Sequence, residues 1–314
     1  MTMEFGFFIP HLPVDIFTGM ALSAENHGFD FICCDDHLMN PFASGEDDFG
    51  CYEAWTAMTY LAGMTKKIKL SHMVLIPGLR NPSVLANMGA TLDVLSKGRF
   101  ILTAGAGWYE KEFNAYGLPF ESHNIRIKRE REAIQLIRAL WEKDNVTFNG
   151  DFYTSNGITV KPKPFQKPAP PIWISGDSRP SMELAAELGD GLQLHGHSPD
   201  EVHRMMKKIT PMVSTRENAF SVGSSHVVVM GADSDKAYEK LRSIVPSATW
   251  ERFMKADIRL EIKNRISGTP DQCLKRIKEY IDVGLKRLIF IFFDPADVEI
   301  FAKEVLPEIR EYKN

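Results

Sequence analysis

Strand and helix signals alternate along this chain eight times, and that alternation constrains the fold more than any other property of the sequence. Apolar runs at 4–9, 29–34, 68–76, 100–103, Ile172–Ser175, 191–194, 226–230 and Arg287–Phe292 read as strands. Most are short and lack polar alternation, the pattern of strands covered on both faces. Helical patterns follow them at 14–27, 52–64, 82–95, 124–141, 180–188, 199–212, 234–244 and 295–312. Strand–helix units wind with right-handed crossovers, which leaves few topologies open. Eight such units in 314 residues predict an α/β fold, a parallel (β/α)8 TIM barrel with insertions.

Two segments interrupt the rhythm. The stretch at about 142–171 is polar and proline-rich, including Lys161-Pro162-Lys163-Pro164, and reads as an extended surface excursion. A second excursion at about 246–267 reads as helical around 250–262. With no internal repeat beyond the barrel period, residues 1–314 are expected to form a single domain.

Composition narrows the function classes. A net charge of -4 offers no basic footprint for nucleic acid. No apolar run reaches the roughly 18 residues of a membrane span. The first residues lack a basic leader and an apolar signal core, so a cytoplasmic location is expected. Cys33, Cys34, Cys51 and Cys273 have neither metal-ligand nor redox-motif spacing, so no metal is expected.

The stretch from Leu92 to Trp108 locates a site. A helix end, a Ser96-Lys97-Gly98-Arg99 turn and a buried strand lead into Gly105-Ala106-Gly107-Trp108. Glycines there let the backbone approach a ligand closely, at the strand end where α/β folds bind them. A second candidate is Ser175-Gly176-Asp177-Ser178, between a strand and a helix with Pro180 in its first turn. Loop amides and a helix N-terminus suit a phosphate. Its expected neighbour is Leu194-His195-Gly196-His197-Ser198, after the sixth strand. Asp36-His37 follows the second strand, where an imidazole titrating near neutrality is placed to move a proton.

These pieces, taken in order with Leu92 to Arg99, Glu112-Phe113, Gly117-Leu118-Pro119-Phe120, Pro171 to Gly176, Gly189-Asp190-Gly191 and Gly268-Thr269-Pro270, resemble the luciferase-like flavin and deazaflavin oxidoreductases. That family has an insertion-bearing (β/α)8 barrel. The resemblance implies that Gly176, Asp177, Ser178, His195 and Gly196 hold the cofactor phosphate. It implies a cis peptide between Met73 and Val74, in Ser71 to Ile76, supporting the ring beside Gly105 and Ala106. It makes Asp36 a ring contact and His37 the acid/base or polar anchor, with Glu110 the other candidate proton carrier. In two deazaflavin branches, acting on sugar phosphates and on methylene-tetrahydromethanopterin, an acid stands where this chain has Trp108. His123 occupies a position where many relatives carry arginine.

The function so implied is hydride transfer between coenzyme F-420, an 8-hydroxy-5-deazaflavin, and a small organic substrate. The alternatives are an FMN-dependent monooxygenase fed reduced flavin by a partner reductase, and a non-catalytic flavin-binding relative. The partner expected in every case is a small molecule, with neither nucleic acid nor membrane. The resemblance also implies a homodimer, since family members often dimerise through their early helices; the apolar helix at 54–63 would suit that contact, although a buried core helix would look the same.

Overall fold

A computed structural model describes residues 3–41, 50–216, 220–244 and 265–312. Its strands are β1 (Glu4–Phe8), β2 (Phe31–Cys34), β3 (Lys69–His72), β4 (Leu102–Ala104), β5 (Val146–Asn149), β6 (Thr154–Ile158), β7 (Ile172–Ser175), β8 (Gly191–His195), β9 (Ser221–Met230), β10 (Ile266–Gly268) and β11 (Arg287–Phe292). Eight of them pair in parallel in the order β3-β2-β1-β11-β9-β8-β7-β4. Single bridges from Leu70 to Phe100 and from Leu75 to Ala104 close the ring between β3 and β4. The molecule is therefore the expected TIM barrel.

The helices are α1 (Val14–Asn26), α2 (Ala54–Met64), α3 (Pro82–Leu95), α4 (Glu110–Ala115), α5 (His123–Glu142), α6 (Arg179–Leu188), α7 (Pro199–Val213), α8 (Ser234–Ile244), α9 (Pro270–Asp282), α10 (Pro295–Ile300) and α11 (Leu306–Glu311). Side-chain caps define many of their starts. Asn81 accepts the amides of Ser83 and Val84 at α3, and Ser198 with Glu201 forms a capping box at α7. No helix among the described residues is long and apolar enough to cross a membrane.

Side chains fill the barrel in layers. At its N-terminal end the Arg287 guanidinium lies 3.6 Å from the Trp173 ring centroid and 4.6 Å from that of Phe31, and it pairs with Glu4. Neighbouring strands give way to these large groups. A Cβ on Gly6 would fall 2.2 Å from the Phe31 ring, and one on Gly191 would fall 2.7 Å from Trp173. Nearer the mouth the interior divides. Phe8, Cys33, Met73, Ile289 and Ile291 form an apolar side. Ser71, Thr103, Ser175, His195 and Ser225 form a hydrogen-bonded side.

Four elements depart from expectation for identifiable reasons. The seventh barrel strand begins at Ser221 rather than at 226, because Ser221-Val222-Gly223-Ser224-Ser225 carries serines and a glycine into the barrel and shows no apolar run. Helix α9 was not expected at all, yet Thr269 and Gln272 form its capping box. The closing helix is not continuous. A five-residue π turn, Phe301–Val305, separates α10 from α11, where Pro307 supplies no backbone donor. The excursion at 142–171 contains an antiparallel hairpin, β5–β6, and its Gln166 is tied to Asp93 and to the Phe100 carbonyl. The helix expected around 250–262 lies outside the described residues.

Candidate active site

The C-terminal ends of β2, β3, β4, β7 and β8 bring the expected residues to one mouth. His37 follows β2 and is buried, and its Nδ1 lies 3.3 Å from Glu112 Oε1 on α4. Among the described residues Nδ1 is the only ring nitrogen of His37 with a hydrogen-bond partner. Glu112 is fully buried, and its other oxygen accepts the amides of Leu38 (2.5 Å) and Met39 (3.1 Å). One carboxylate thus fixes both the imidazole and the loop that carries it. Burial works against the charged imidazole, but the Glu112 hydrogen bond and the charges of Asp35, Glu112 and Asp36 outweigh it, so the His37 pKa lies above its ordinary value. Trp108 and Tyr109 meet the ring edge-on, at centroid distances of 5.5 and 6.1 Å.

The acid beside His37 is therefore Glu112. Glu110, the candidate from sequence, is exposed at the start of α4. Glu112 was part of the motif that carried the resemblance, but nothing in the sequence joins it to a histidine 75 residues away.

Asp36 also differs from expectation. Arg80 donates to both of its carboxylate oxygens at 2.6 Å, and the Ile76 amide donates at 2.9 Å. Arg80 bonds Glu53 as well. The carboxylate expected to touch the ring is instead committed to a clamp between the β2 and β3 loops. Burial pushes the Asp36 carboxyl up to about 6 despite Arg80. Asp35, its neighbour, accepts from His11 Nε2 at 2.6 Å and from the His37 amide at 3.3 Å. Donor atoms of His11, Asp35 and Cys51 all lie within 4.8 Å of one another, which resembles a metal triad. The Tyr52 amide, however, donates to His11 Nδ1 at 3.2 Å. That leaves the proton on Nε2, where it goes to Asp35, so the group is a hydrogen-bonded pair rather than a ligand set.

The peptide between Met73 and Val74 is cis. Gly105 packs directly on it, and a Cβ there would lie 2.6 Å from Val74 Cγ2. Only a glycine lets the β4 loop come this close to β3. Ala106 continues the wall, and Trp108 stands beyond it, 45% exposed.

The residues expected to seat a phosphate lie on neighbouring strand ends, but two of the expected amides are already used. Gly176 donates its amide to the Gln193 carbonyl at 3.1 Å, and Gly196 donates to Ser225 at 2.9 Å. Both continue the barrel ladder and are not spare. The donors that remain belong to the start of α6 and to hydroxyls. Ser178 caps α6, and its Oγ lies 3.1 Å from His123 Nε2 at the start of α5. Asp177 lies 3.2 Å from His197 Nε2, whose hydrogen bond is the main force holding the Asp177 pKa down. His195 opens onto the mouth yet is hemmed in by the barrel rim. Its Nε2 meets Ser175 Oγ at 2.6 Å and its Nδ1 meets Ser225 Oγ at 3.0 Å. Desolvation lowers its pKa to about 4, which keeps the ring neutral at pH 7. Apart from its chain neighbours, no atom of the described residues lies within 4 Å of where a Gly196 Cβ would be, so that face of the loop is open among them. A narrow wall at Val74 and Gly105, an open face at Gly196 and hydroxyl donors at a helix start together fit a flat ring with a phosphate-bearing tail.

Comparison with known proteins follows the same lines. An FMNH(2)-dependent dimethylsulfone monooxygenase of Pseudomonas putida is 27% identical over 327 aligned positions, covering 95% of this chain and 88% of that one. An F420-dependent glucose-6-phosphate dehydrogenase of Amycolatopsis mediterranei is 29% identical, covering 92% and 93%. The solved structure of an F420-dependent secondary alcohol dehydrogenase in complex with an F420-acetone adduct superimposes with a TM-score of 0.85 at 24% identity, covering 99% of this chain and 100% of that one, and it shares the fold. The pattern of the luciferase-like monooxygenases matches residues 3–287, and the chain belongs to that family.

Proposed function

We propose that this enzyme transfers a hydride between coenzyme F-420 and a small organic substrate, with His37 moving the accompanying proton. The observation that carries the reading is the His37–Glu112 dyad at the barrel mouth. Glu112 orients the imidazole through Nδ1 and stabilises its protonated form, which leaves Nε2 to give or take a proton at the substrate. Trp108 and Tyr109 wall that position and limit its access to water. The deazaflavin, when bound, supplies hydride chemistry at its C5. Met73, Val74, Gly105 and Ala106 would bracket the ring, and Asp177 and Ser178, with the loop at His195 and Gly196, would hold the phosphate.

F-420 is taken over FMN on the likeness of Asp36-His37 to the pair that deazaflavin members of the family carry after this strand. FMN-dependent monooxygenation is the second reading, supported by the relative from Pseudomonas putida, which matches nearly the whole chain. It would require a partner reductase.

Titrating the protein with F-420 and with FMN, followed by single-turnover assays, tests these readings. The expected result is tighter binding of F-420 and hydride transfer to a carbonyl or alcohol. Oxygenation with reduced FMN, without F-420 binding, would establish the second reading. Flavin binding with no turnover of either kind would indicate a non-catalytic flavin carrier.

The proposed assembly is a homodimer. Helices α2 and α3 lie side by side, with Tyr60 55% and Val84 56% exposed. Large apolar groups on adjacent helices suit a second copy of the chain.

A further inference from the structure

The rings beside His37 bear on what the site takes. Trp108 and Tyr109 both meet the imidazole edge-on. Tyr109 is buried and its centroid lies 5.4 Å from that of Trp108, which gives the indole a fixed support. Gly107 turns the chain just before it, at a φ of 77°, and a Cβ there would come within 3.0 Å of Phe113. Tyr116, just past α4, donates its hydroxyl to the Leu38 carbonyl at 3.2 Å, one residue beyond His37. That bond anchors the ring, yet the residue is 54% exposed, and Trp108 is 45% exposed. Two large aromatic side chains, anchored and half-exposed, thus stand beside the His37–Leu38 loop.

The charges in this region have one sign left over. Those that act on His37 are the carboxylates of Asp35, Glu112 and Asp36. Arg80 pairs with both Asp36 and Glu53, so that cluster keeps a net negative charge. Arg126 donates to the carbonyls of Gly107 and Glu121 and faces the charges of Glu110 and Glu121. Arg129 pairs with the Glu121 carboxylate. Each of these three guanidinium groups is already matched, and none is left over for a phosphate or carboxylate at His37. An anion brought to the imidazole meets repulsion that the half-dry rim strengthens. A neutral, flat molecule meets aromatic faces instead.

We propose that Trp108 and Tyr116 are specificity-determining residues: they select an uncharged substrate with a flat aromatic body, an aryl carbinol or aryl ketone, and the carboxylates around His37 turn anionic substrates away. The reaction at that substrate rests on the function proposed above. Oxidation of the carbinol breaks its C–H and O–H bonds, the hydride passing to F-420 and the proton to His37 Nε2 as the C=O bond forms. Selection by the rings and charges is independent of which cofactor is bound.

Calorimetric titration with acetophenone and with its para-carboxylate, with and without F-420, changes one charge on a constant shape. Acetophenone should bind at least about tenfold tighter than the carboxylate. Trp108→Ala should weaken acetophenone binding about tenfold and raise KM more than it lowers kcat. Trp108→Phe keeps a flat face and should stay within a few-fold of native. Trp108→Lys supplies the missing cation and should narrow the gap between the two ligands. If the selectivity appears but reduced F-420 does not reduce acetophenone, the proposed function falls and the specificity assignment stands. If acetophenone is reduced but its para-carboxylate binds equally well, or Trp108→Ala keeps native affinity, the assignment is overturned and the proposed function stands. Absence of acetophenone binding overturns the assignment as well.

Discussion

Glu112 accepts the Leu38 and Met39 amides with the same carboxylate that meets Nδ1 of His37. Orientation, charge and loop position thus depend on one side chain. Replacing His37 with Ala should lower turnover by about two to four orders of magnitude, the usual range for a general acid or base. Cofactor affinity should stay within a few-fold of native, because the proposed phosphate seat lies on other strands. Steady-state kinetics with a binding titration checks both.

Glu112→Gln keeps the volume and removes the charge. The His37 pKa is held above its ordinary value of 6.5 by this carboxylate and by Asp35, so the substitution should lower it. The limb of the pH–rate profile that reports His37 should move to more acid pH.

The Asp36–Arg80 clamp joins two loops through a buried ion pair. Arg80→Met would leave the Asp36 carboxylate buried without its cation, which costs about 3–5 kcal/mol in comparable sites. Urea unfolding should show that loss, and Asp36→Asn in the same background should restore part of it.

His226 is fully buried, with neither ring nitrogen partnered among the described residues and Tyr280 packed 4.0 Å away. Burial, more than the charges around it, depresses its pKa from 6.5 to about 3. The unfolded chain therefore binds a proton that the folded one refuses. Stability from this site is complete above pH 6.5 and declines as pH falls from there through about 3. In His226→Phe, thermal midpoints measured between pH 7 and 4 should fall less than in the native protein.

A side chain at Gly105 would have to displace the stiff, branched Val74. Gly105→Val should weaken flavin binding by at least about tenfold, since the wall proposed to hold the ring must shift by on the order of 1 Å. Size-exclusion chromatography of Tyr60→Glu with Val84→Glu checks the proposed dimer, which should dissociate.

The sequence makes the barrel and the mouth legible because strand–helix alternation is a local property and ligand-binding loops follow strands. The pairings inside the site are less so. Glu112 and His37, or Asp36 and Arg80, are far apart in the chain, and their contact depends on closure of the sheet. Glu130 lies in the run Arg129-Glu130-Arg131-Glu132, where it reads as part of a solvated face. Only the helix phase, set by packing against α3 and the loop at Gly105, turns it inward. The five residues before His226 escape notice for the opposite reason, since their hydroxyls point into a barrel interior that is partly polar.

The seam between β1 and β11, with Glu4 opposite Arg287, has a consequence for synthesis. The partner of the first strand leaves the ribosome some 283 residues after it. Until then β1 has an open edge on that side, and the ring cannot close. Truncation before β11 should therefore give not a smaller working enzyme but an open, association-prone sheet. The nascent chain must be shielded until β11 has emerged.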